Sequence, residues 1–118
     1  SLTPQKGKSS IITQTNYKEM YYSSAQQIAH HSSSGCPMRV GDLIGSGTIS
    51  GSQKSERGSM LELSWGGKEP LNLANGETRT FLEDLDTVTF QGKGKKEDFT
   101  IGFGNCTGTL LPALKCPY

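Results

Sequence analysis

The sequence lacks any run of about 18 apolar residues, so we expect no transmembrane helix. Its first four residues, Ser-Leu-Thr-Pro, resemble neither a signal peptide nor a transit peptide. An excess of one charge is also missing, because 12 basic residues are balanced by 11 acidic ones to give a net charge of +1. The densest basic stretch, residues 93–96, is followed at once by Glu97 and Asp98, which predicts a solvated loop. These absences argue against a membrane or a nucleic acid as a partner.

Large apolar residues are scarce in this chain. Leu, Ile, Val and Phe make up 23 of the 118 residues, just under the roughly 20% below which disorder becomes common. Disorder also requires a high net charge, which this sequence does not have. A chain of this length forms one domain and can bury about 66% of its unfolded surface. We therefore predict one folded domain, completed by surfaces that the chain does not itself contain.

The cysteines do not form a pattern typical of a disulfide-rich or zinc-binding protein. Cys36, Cys106 and Cys116 are odd in number and widely spaced, and no Cys-x-x-Cys occurs. Secreted disulfide frameworks usually have an even and denser set, so we predict a reducing, cytoplasmic location. The chain starts with Ser1 rather than Met, which we interpret as the start of a processed or recombinant piece. Residues 1–10 are polar, which predicts a linker or a connection from a missing upstream segment.

One helix is predicted at about residues 16–32. Asn16 is a suitable N-cap, and Glu19 three residues later completes a capping-box pattern. Apolar residues then recur at helical spacing, namely Tyr17, Met20, Tyr21, Ala25, Ile28 and Ala29. Gly35 suits the left-handed position that often follows a helix. One face of this helix should therefore pack against a sheet or a partner.

The rest of the sequence predicts short strands and turns. Residues 59–65 alternate with a period of two, which predicts a strand that carries Glu62. Asn75-Gly76 lies between two apolar runs and indicates a hairpin. Further strands are predicted at residues 87–91 and 100–103. The sequence thus predicts a mainly β protein of the α+β class, a sandwich or roll with one helix packed outside.

Metal ligands and nucleophiles are not arranged in a recognisable motif. His30 and His31 are neighbours on the predicted helix and point about 100° apart, so we interpret them as helix-end residues of which one packs inward. Cys36 lies nearby, and a cysteine that packs between helix and loop is favoured over a Cys–His nucleophile. An acidic turn cluster, with a loose divalent-metal site as the alternative, is formed by Glu83, Asp84 and Asp86.

Two features remain as candidate functional elements. The segment 45–51, GSGTISG, has three glycines, which let a backbone approach another group closely. Its spacing matches neither a phosphate loop nor a Rossmann fingerprint, so a strand bend and a loop that offers N–H groups to an anion remain equal alternatives. Glu62 lies among apolar residues, where a carboxylate either faces solvent or is buried with a partner, as in many active sites.

These candidates belong to a longer set of motifs that resembles the fumarylacetoacetase family, and only its C-terminal part. The motifs are residues 16–22, 26–31, 35–36, 39–43, 45–51, 58–65, 78–82, 101–104 and 110–114. They cover nearly the whole chain and keep the family's order. The resemblance implies that residues 1–118 are the C-terminal part of the family's catalytic domain, a mixed β-sandwich roll and a partial domain.

The resemblance also implies an activity. Enzymes of this family hydrolyse a carbon–carbon bond of 4-fumarylacetoacetate to give fumarate and acetoacetate, the last step of tyrosine and phenylalanine breakdown. A Ca²⁺ or Mg²⁺ ion polarises the diketone, and a His held by a Glu activates water. By this resemblance, Glu62 is the catalytic carboxylate that orients the His. Thr48 is the substrate-binding residue at the acetoacetate end.

The other functional residues of the family lie upstream of this segment. These are the catalytic His, the acidic metal ligands and the cationic substrate contacts, so the resemblance implies no metal ligand within residues 1–118. His30 and His31 match a family His-His pair other than the catalytic His. The implied partners are a diketo-acid substrate, the remainder of the same chain and a second copy in a homodimer. This segment alone is expected to be inactive.

Two other hypotheses remain open. The chain could be a non-catalytic scaffold or dimerisation module from a truncated relative, or part of another diketone or acylpyruvate hydrolase of the same superfamily. The sequence also departs from the family at three places. Leu85 replaces the glycine of a family turn, which predicts strain if its φ is positive. Residues 93–98 are more charged than the family loop, and Tyr22 stands where Trp is common.

Overall fold

Strands dominate the computed structural model, which describes residues 1–115. The elements, in chain order, are β1 Leu2–Thr3, α1 Ser24–Ser33, α2 Met60–Leu63, β2 Leu71–Asn72, β3 Thr78–Arg79, β4 Thr87–Lys96 and β5 Phe99–Thr109. Short 3₁₀ turns lie at Tyr17–Glu19 and Lys54–Glu56. One antiparallel sheet has the order β1–β4–β5, and the other pairs β2 with β3. The prediction of a mainly β, α+β architecture is confirmed.

The N-terminal residues form part of the first sheet, so the prediction of a polar linker over residues 1–10 is wrong. Leu2 is fully buried and pairs with Val88 of β4. Leu2 also exchanges two backbone hydrogen bonds with Ser10, each of 2.8 Å. Burial of Leu2 holds residues 1–10 in place, because the backbone groups near Leu2 are hydrogen-bonded both to β4 and to Ser10.

The helix begins after Ser23, so its predicted start near Asn16 is wrong. Asn16 caps only the 3₁₀ turn Tyr17–Glu19, where its side chain accepts a hydrogen bond of 3.0 Å from the Lys18 N–H. The helix has its own capping box, in which the Gln26 N–H donates to Ser23 Oγ at 3.3 Å and the Ser23 N–H donates to Gln26 Oε1 at 2.8 Å. The second cap starts the helix because it satisfies two backbone donors rather than one.

The end of α1 follows the prediction for Gly35. This residue has φ +82°, its N–H donates to the Ser32 carbonyl at 3.1 Å, and the Cys36 N–H donates to the His31 carbonyl at 3.3 Å. This pair of bonds is a Schellman motif, which requires a left-handed residue and hence favours glycine. Within the described residues no sheet covers α1, because no residue of α1 is buried and Ile28 is 47% exposed. The alternative, that this face packs against a partner, stays a prediction.

The hairpin predicted at Asn75-Gly76 is confirmed. β2 and β3 are antiparallel neighbours, and Gly76 between them has φ +88°. The Gly76 N–H donates to the Leu73 carbonyl at 3.0 Å, and the Leu73 N–H donates to the Glu77 carbonyl at 2.8 Å. Strand β3 covers only Thr78–Arg79, the first two residues of the run 78–82 that follows the turn in the sequence. The tight turn therefore brings Glu77 and Arg79 to the same end of the hairpin.

Strands β4 and β5 form a long antiparallel ribbon. β4 continues through Lys96, so the prediction of a loop over residues 93–96 is wrong, although these residues are exposed as predicted. Their backbone groups pair with β5 from Phe99 to Gly102. The polar composition of residues 93–96 suggests a backbone that is hydrogen-bonded to water, but here the backbone groups are hydrogen-bonded to the neighbouring strand.

A bulge in this ribbon changes which side chains share a face. Gln91 lies opposite Asn105 and Lys93 lies opposite Gly102, so one residue of β4 faces two residues of β5. A side chain at Gly92 would contact Phe103, which places Phe103 on the face of the even-numbered β4 residues. Side chains alternate between the two faces of a strand. One extra residue in β5 therefore changes which residues of β5 share a face with the even-numbered residues of β4 on the two sides of the bulge.

The bulge makes the ribbon amphipathic along its full length. One face carries three cross-strand side-chain hydrogen bonds, Thr87–Thr109 at 2.7 Å, Thr89–Thr107 at 3.1 Å and Gln91–Asn105 at 2.8 Å. The opposite face, here called the apolar ribbon face, carries Phe90, Phe99, Ile101 and Phe103. All four are at least half exposed, from 55% to 79%.

The described chain exposes far more surface than a compact domain of its size. Its accessible area is 9570 Å², against about 6,200 Å² from the area scaling of monomeric proteins. Its radius of gyration is 17.4 Å, against about 13.5 Å for a compact chain of this length. The buried residues are few, namely Leu2, Pro4, Leu63, Ser64, Leu73 and Asp86. Within residues 1–115, no helix is long and apolar enough to cross a membrane.

Candidate functional site

Glu62 lies on a helical turn, so the prediction of a strand over residues 59–65 is wrong. α2 starts after Ser59, whose hydroxyl accepts a hydrogen bond of 3.2 Å from the Glu62 N–H. Ser64 is fully buried, and its Oγ donates to the Met60 carbonyl at 2.7 Å. The apolar alternation matches a strand, but Ser59 three residues before Glu62 is a helix-start signal. The local hydrogen bonds outweigh the period-two pattern in this short segment.

The Glu62 side chain is partly buried and faces the glycine-rich segment. Ser50 Oγ donates to Glu62 Oε2 at 2.5 Å, and the Gly58 N–H donates to Ser50 Oγ at 3.0 Å. No residue within 1–115 donates to Glu62 Oε1. A partly buried carboxylate with one occupied and one open oxygen can hold a second donor, such as an imidazole N–H.

Thr48 is brought close to this site by Gly58. A Cβ at Gly58 would overlap the Ile49 carbonyl oxygen and lie 2.9 Å from the Thr48 methyl carbon. The backbone of the glycine-rich segment therefore contacts residue 58 directly, which only glycine permits. Thr48 itself is exposed, whereas Ser50 two residues later is half-buried against Glu62. The structure thus joins the two sequence-predicted residues through Ser50 and Gly58.

Arg57 supports the same helical turn from the other side. Its guanidinium donates to the Glu62 carbonyl at 2.9 Å and lies 5.5 Å from the centroid of the Trp65 ring. Trp65 has φ +49°, which is uncommon for a bulky residue. Ser50, Ser59 and Arg57 were not among the site residues predicted from the sequence. The Ser59–Glu62 spacing, which is typical of a helix start, was the one available signal. The contact between Ser50 and Glu62 spans 12 residues and leaves no periodic pattern in the sequence.

The acidic turn cluster is an ion-pair site rather than a metal site. Arg79 binds both carboxylate oxygens of Asp86 at 3.0 and 3.2 Å, and it also contacts Glu77 at 2.8 Å and Glu83 at 3.4 Å. Burial by itself would raise the pKa of Asp86, but the hydrogen bonds from Arg79 and from the Glu83 N–H and the charge of Arg79 lower it overall. The same hydrogen bond raises the pKa of Arg79.

Within residues 1–115, no three His, Cys, Asp or Glu side chains converge in a way that could hold a metal ion. Asp86, which belongs to the cluster considered above as a metal site, already has both oxygens bound by Arg79. The side chains in this part of the chain therefore do not form a metal site by themselves.

The histidines and cysteines lie apart from Glu62. His30 and His31 are both exposed, so the prediction that one packs inward is wrong. They line a cleft of about 650 Å³ between α1 and the start of the glycine-rich segment. Cys36 and Cys106 are exposed and unpaired, which corrects the prediction of a packed Cys36. Cys116 lies outside the described residues.

Comparisons with known proteins cover most of this chain. A family described as "Fumarylacetoacetate (FAA) hydrolase C-terminal" matches residues 8–110. A fumarylacetoacetase of Arabidopsis thaliana is 50% identical over 105 residues, which are 89% of this chain and 25% of the relative. The fumarylacetoacetase of Homo sapiens is 50% identical over 107 residues, 91% of this chain and 26% of the relative. The fumarylacetoacetase of Aspergillus fumigatus is 50% identical over 117 residues, which are 99% of this chain and 27% of the relative. The chain therefore spans about a quarter of the length of these curated relatives.

Proposed function

Because the chain belongs to the fumarylacetoacetate hydrolase family, we propose that it is the C-terminal part of an enzyme that hydrolyses 4-fumarylacetoacetate to fumarate and acetoacetate. The observation that carries this proposal is the contact between the two candidate elements. Ser50 belongs to the same glycine-rich segment as Thr48, and its hydroxyl binds the Glu62 carboxylate at 2.5 Å. Relatives named fumarylacetoacetase, 50% identical to this chain, support the choice of substrate. The proposed pathway is tyrosine and phenylalanine catabolism.

Each of the two residues has a defined role in this proposal. Glu62 orients an imidazole supplied by the rest of the protein, and that imidazole takes a proton from water as a general base. Glu62 Oε1, to which no residue within 1–115 donates, is the oxygen proposed to accept the imidazole N–H. Water adds to the carbonyl carbon next to the bond that breaks, and the carbanion that leaves is protonated to give acetoacetate. Thr48 is exposed and is proposed to contact the acetoacetate end.

The proposed metal ion, Ca²⁺ or Mg²⁺, requires ligands from the remainder of the protein. The described residues include no metal-holding group of three or more side chains. Treating the full-length protein with a chelator should therefore abolish turnover, and adding back either ion should restore it. Glu62→Gln should leave the affinity for the ion, measured by calorimetry, within about threefold, because this residue is not a ligand in the proposal.

The domain is proposed to be completed by the remainder of the same chain. Its area of 9570 Å² and the exposed apolar ribbon face support this reading, because isolated soluble domains rarely leave such patches open. We further propose a cytoplasmic homodimer that acts on a small diketo acid, with neither a membrane nor a nucleic acid as partner. The nearly neutral charge of the sequence supports the last point.

A direct assay tests the function. Full-length protein with Ca²⁺ or Mg²⁺ should consume fumarylacetoacetate, and a polypeptide of residues 1–118 alone should not. Glu62→Gln should lower kcat by at least about 100-fold, the lower end of the range for general acid–base catalysis. Glu69→Gln is the matched control, because this exposed carboxylate pairs with Lys54 outside the candidate site, and the kcat of this variant should stay within about twofold.

Other results would favour the alternatives. An intact full-length protein that consumes no diketo acid would support a non-catalytic scaffold or dimerisation module. Turnover of acylpyruvates but not of fumarylacetoacetate would assign the protein to another diketone hydrolase of the superfamily. Activity of residues 1–118 alone would contradict the proposal that the base and the metal ligands lie elsewhere.

A further inference from the structure

The Glu62 carboxylate has an unusual hydrogen-bond partner. A Glu at the third position of a helix commonly folds back onto the N–H of the N-cap residue and closes a capping box. Here only half of that box forms, because Ser59 Oγ accepts from the Glu62 N–H while the Glu62 carboxylate turns away from Ser59. The carboxylate instead binds Ser50, 12 residues earlier in the chain.

The hydrogen bonds around Ser50 fix the direction of its hydroxyl proton. The Gly58 N–H donates to Ser50 Oγ at 3.0 Å, and Ser50 Oγ lies 2.5 Å from Glu62 Oε2. A backbone N–H can only donate and an ionised carboxylate can only accept, so the serine hydroxyl donates to Glu62. A hydrogen bond to an ionised carboxylate is among the stronger ones in proteins.

We propose that Ser50 is the positioning residue that holds Glu62 in its working orientation. This rests on the function proposed above, in which Glu62 orients a base from the rest of the protein. By binding Oε2, Ser50 fixes the rotation of the carboxylate and leaves Oε1 for the imidazole. Without the hydroxyl, Glu62 would sample other rotamers, and a displacement of about 1 Å at a reacting group can lower the rate 100-fold.

The same contact links the substrate segment to the catalytic carboxylate. Ser50 is two residues after Thr48, and Gly58 packs against the backbone at Ile49. A change in the position of the glycine-rich segment therefore moves a direct partner of Glu62. Ser50 acts through Glu62 and does not itself contact the reacting atoms in this proposal.

The test compares three variants of the full-length enzyme. Ser50→Ala should lower kcat about 10- to 100-fold while KM changes by less than about threefold, because orientation is lost and substrate contacts remain. Ser50→Thr keeps an Oγ at the same position and should recover most of the wild-type kcat. Ser32→Ala is the matched control, since the Ser32 hydroxyl also donates a hydrogen bond, to the Ala29 carbonyl of α1, but lies outside the candidate site. It should leave kcat within about threefold.

The outcomes separate this inference from the proposed function. A wild-type protein without activity contradicts the proposed function itself. With an active wild type and an inactive Glu62→Gln, full activity of Ser50→Ala contradicts the positioning role. An equal loss of kcat in Ser32→Ala and Ser50→Ala also contradicts it, because the loss would then not depend on the contact with Glu62. A failure of Ser50→Thr to recover activity, with its Tm unchanged, contradicts the role of the hydroxyl.

Discussion

Leu85 has a left-handed backbone conformation, which is unfavourable for residues that carry a Cβ. Its φ is +70°, and its N–H donates to the Leu110 carbonyl at 2.7 Å while the Leu110 N–H donates to the Asp86 carbonyl at 2.9 Å. These bonds anchor the turn to the chain that follows β5. The replacement of a family glycine by Leu85 predicts strain here if φ is positive, and the structure shows the positive φ. The left-handed region costs a residue with a Cβ about 1–2 kcal/mol.

Replacing Leu85 with glycine should stabilise the protein. Relief of the left-handed strain outweighs the extra flexibility of glycine in the unfolded chain, which costs about 0.5–1 kcal/mol, so we expect a net gain of about 0.5–1 kcal/mol. Chemical denaturation of the full-length protein measures this difference. Leu85→Ala is the control, because it shortens the side chain but keeps the Cβ. A gain for Leu85→Ala equal to that for Leu85→Gly would show that φ is not the cause.

Asp86 and Arg79 form the most buried ion pair among the described residues, with side-chain exposures of 1% and 10%. The pKa of Asp86 is lower in the folded protein than its ordinary 3.8, so the unfolded chain binds this proton first. The stabilisation is therefore fully present above about pH 4–5 and is lost as the pH falls through the folded pKa.

Asp86→Asn should cost about 3–5 kcal/mol at pH 7, because it leaves the Arg79 charge without its main partner. The difference from wild type should shrink when unfolding is measured at successively lower pH, below about pH 4. Glu83→Gln is the control at the same arginine. Its carboxylate is 63% exposed at 3.4 Å, so the change should cost under about 1 kcal/mol. A pH-independent effect of Asp86→Asn would contradict the ion-pair account.

At the scale of elements, competing local signals decided where helices begin. The pattern at Asn16–Glu19 and the pattern at Ser23–Gln26 both resemble capping boxes, and only the second starts a helix. Ser59 and Glu62 give a third such signal inside a run that alternates like a strand. A period-two pattern over seven residues is also compatible with one helical turn. The capping residue Ser59, rather than the apolar pattern, therefore indicated that residues 60–63 are helical.

Gly58 is predicted to be essential for the arrangement of the candidate site. Alanine there would overlap the Ile49 carbonyl oxygen and crowd Thr48, so Gly58→Ala should destabilise the protein by about 1–3 kcal/mol and lower its kcat. Gly45→Ala is the matched control in the same region, because a Cβ at Gly45 meets nothing within 4 Å and its φ is not positive. The Tm and kcat of full-length variants check both. Equal effects for the two changes would contradict a steric role for Gly58.

At the scale of the whole molecule, the apolar ribbon face is an exposed patch of large side chains. Phe90 and Phe103 are 69% and 79% exposed, while the opposite face of the same ribbon is closed by side-chain hydrogen bonds. Such a face, on two strands that extend from a small core, requires a cover in a soluble protein. The proposed cover is the remainder of the full-length chain.

A polypeptide of residues 1–118 should therefore bind a hydrophobic dye strongly and self-associate with rising concentration, unlike the full-length protein. Replacing Phe90 and Phe103 with serine should reduce dye binding and association, measured by fluorescence and light scattering. Thr107→Ala on the opposite face is the control and should change neither. A monomeric polypeptide that binds no dye would contradict the incompleteness proposed for this domain.

Local features were determined by the sequence alone. The Asn75-Gly76 hairpin, the left-handed Gly35 and the mainly β class follow from turn chemistry and from short-range patterning, which depend on neighbouring residues. The family was also indicated by the sequence, because the ordered motifs cover nearly the whole chain. The identity of Glu62 and Thr48 as candidates came from the same source.

Only the tertiary structure decided which groups meet. It showed Ser50 on Glu62, Arg79 on Asp86, and a bulge that moves Phe103 to the apolar ribbon face. These contacts join residues that are distant in sequence or depend on one extra residue in a strand, so no period or local propensity encodes them. Hydrogen bonding and side-chain packing select among conformations that the local sequence leaves nearly equal in free energy.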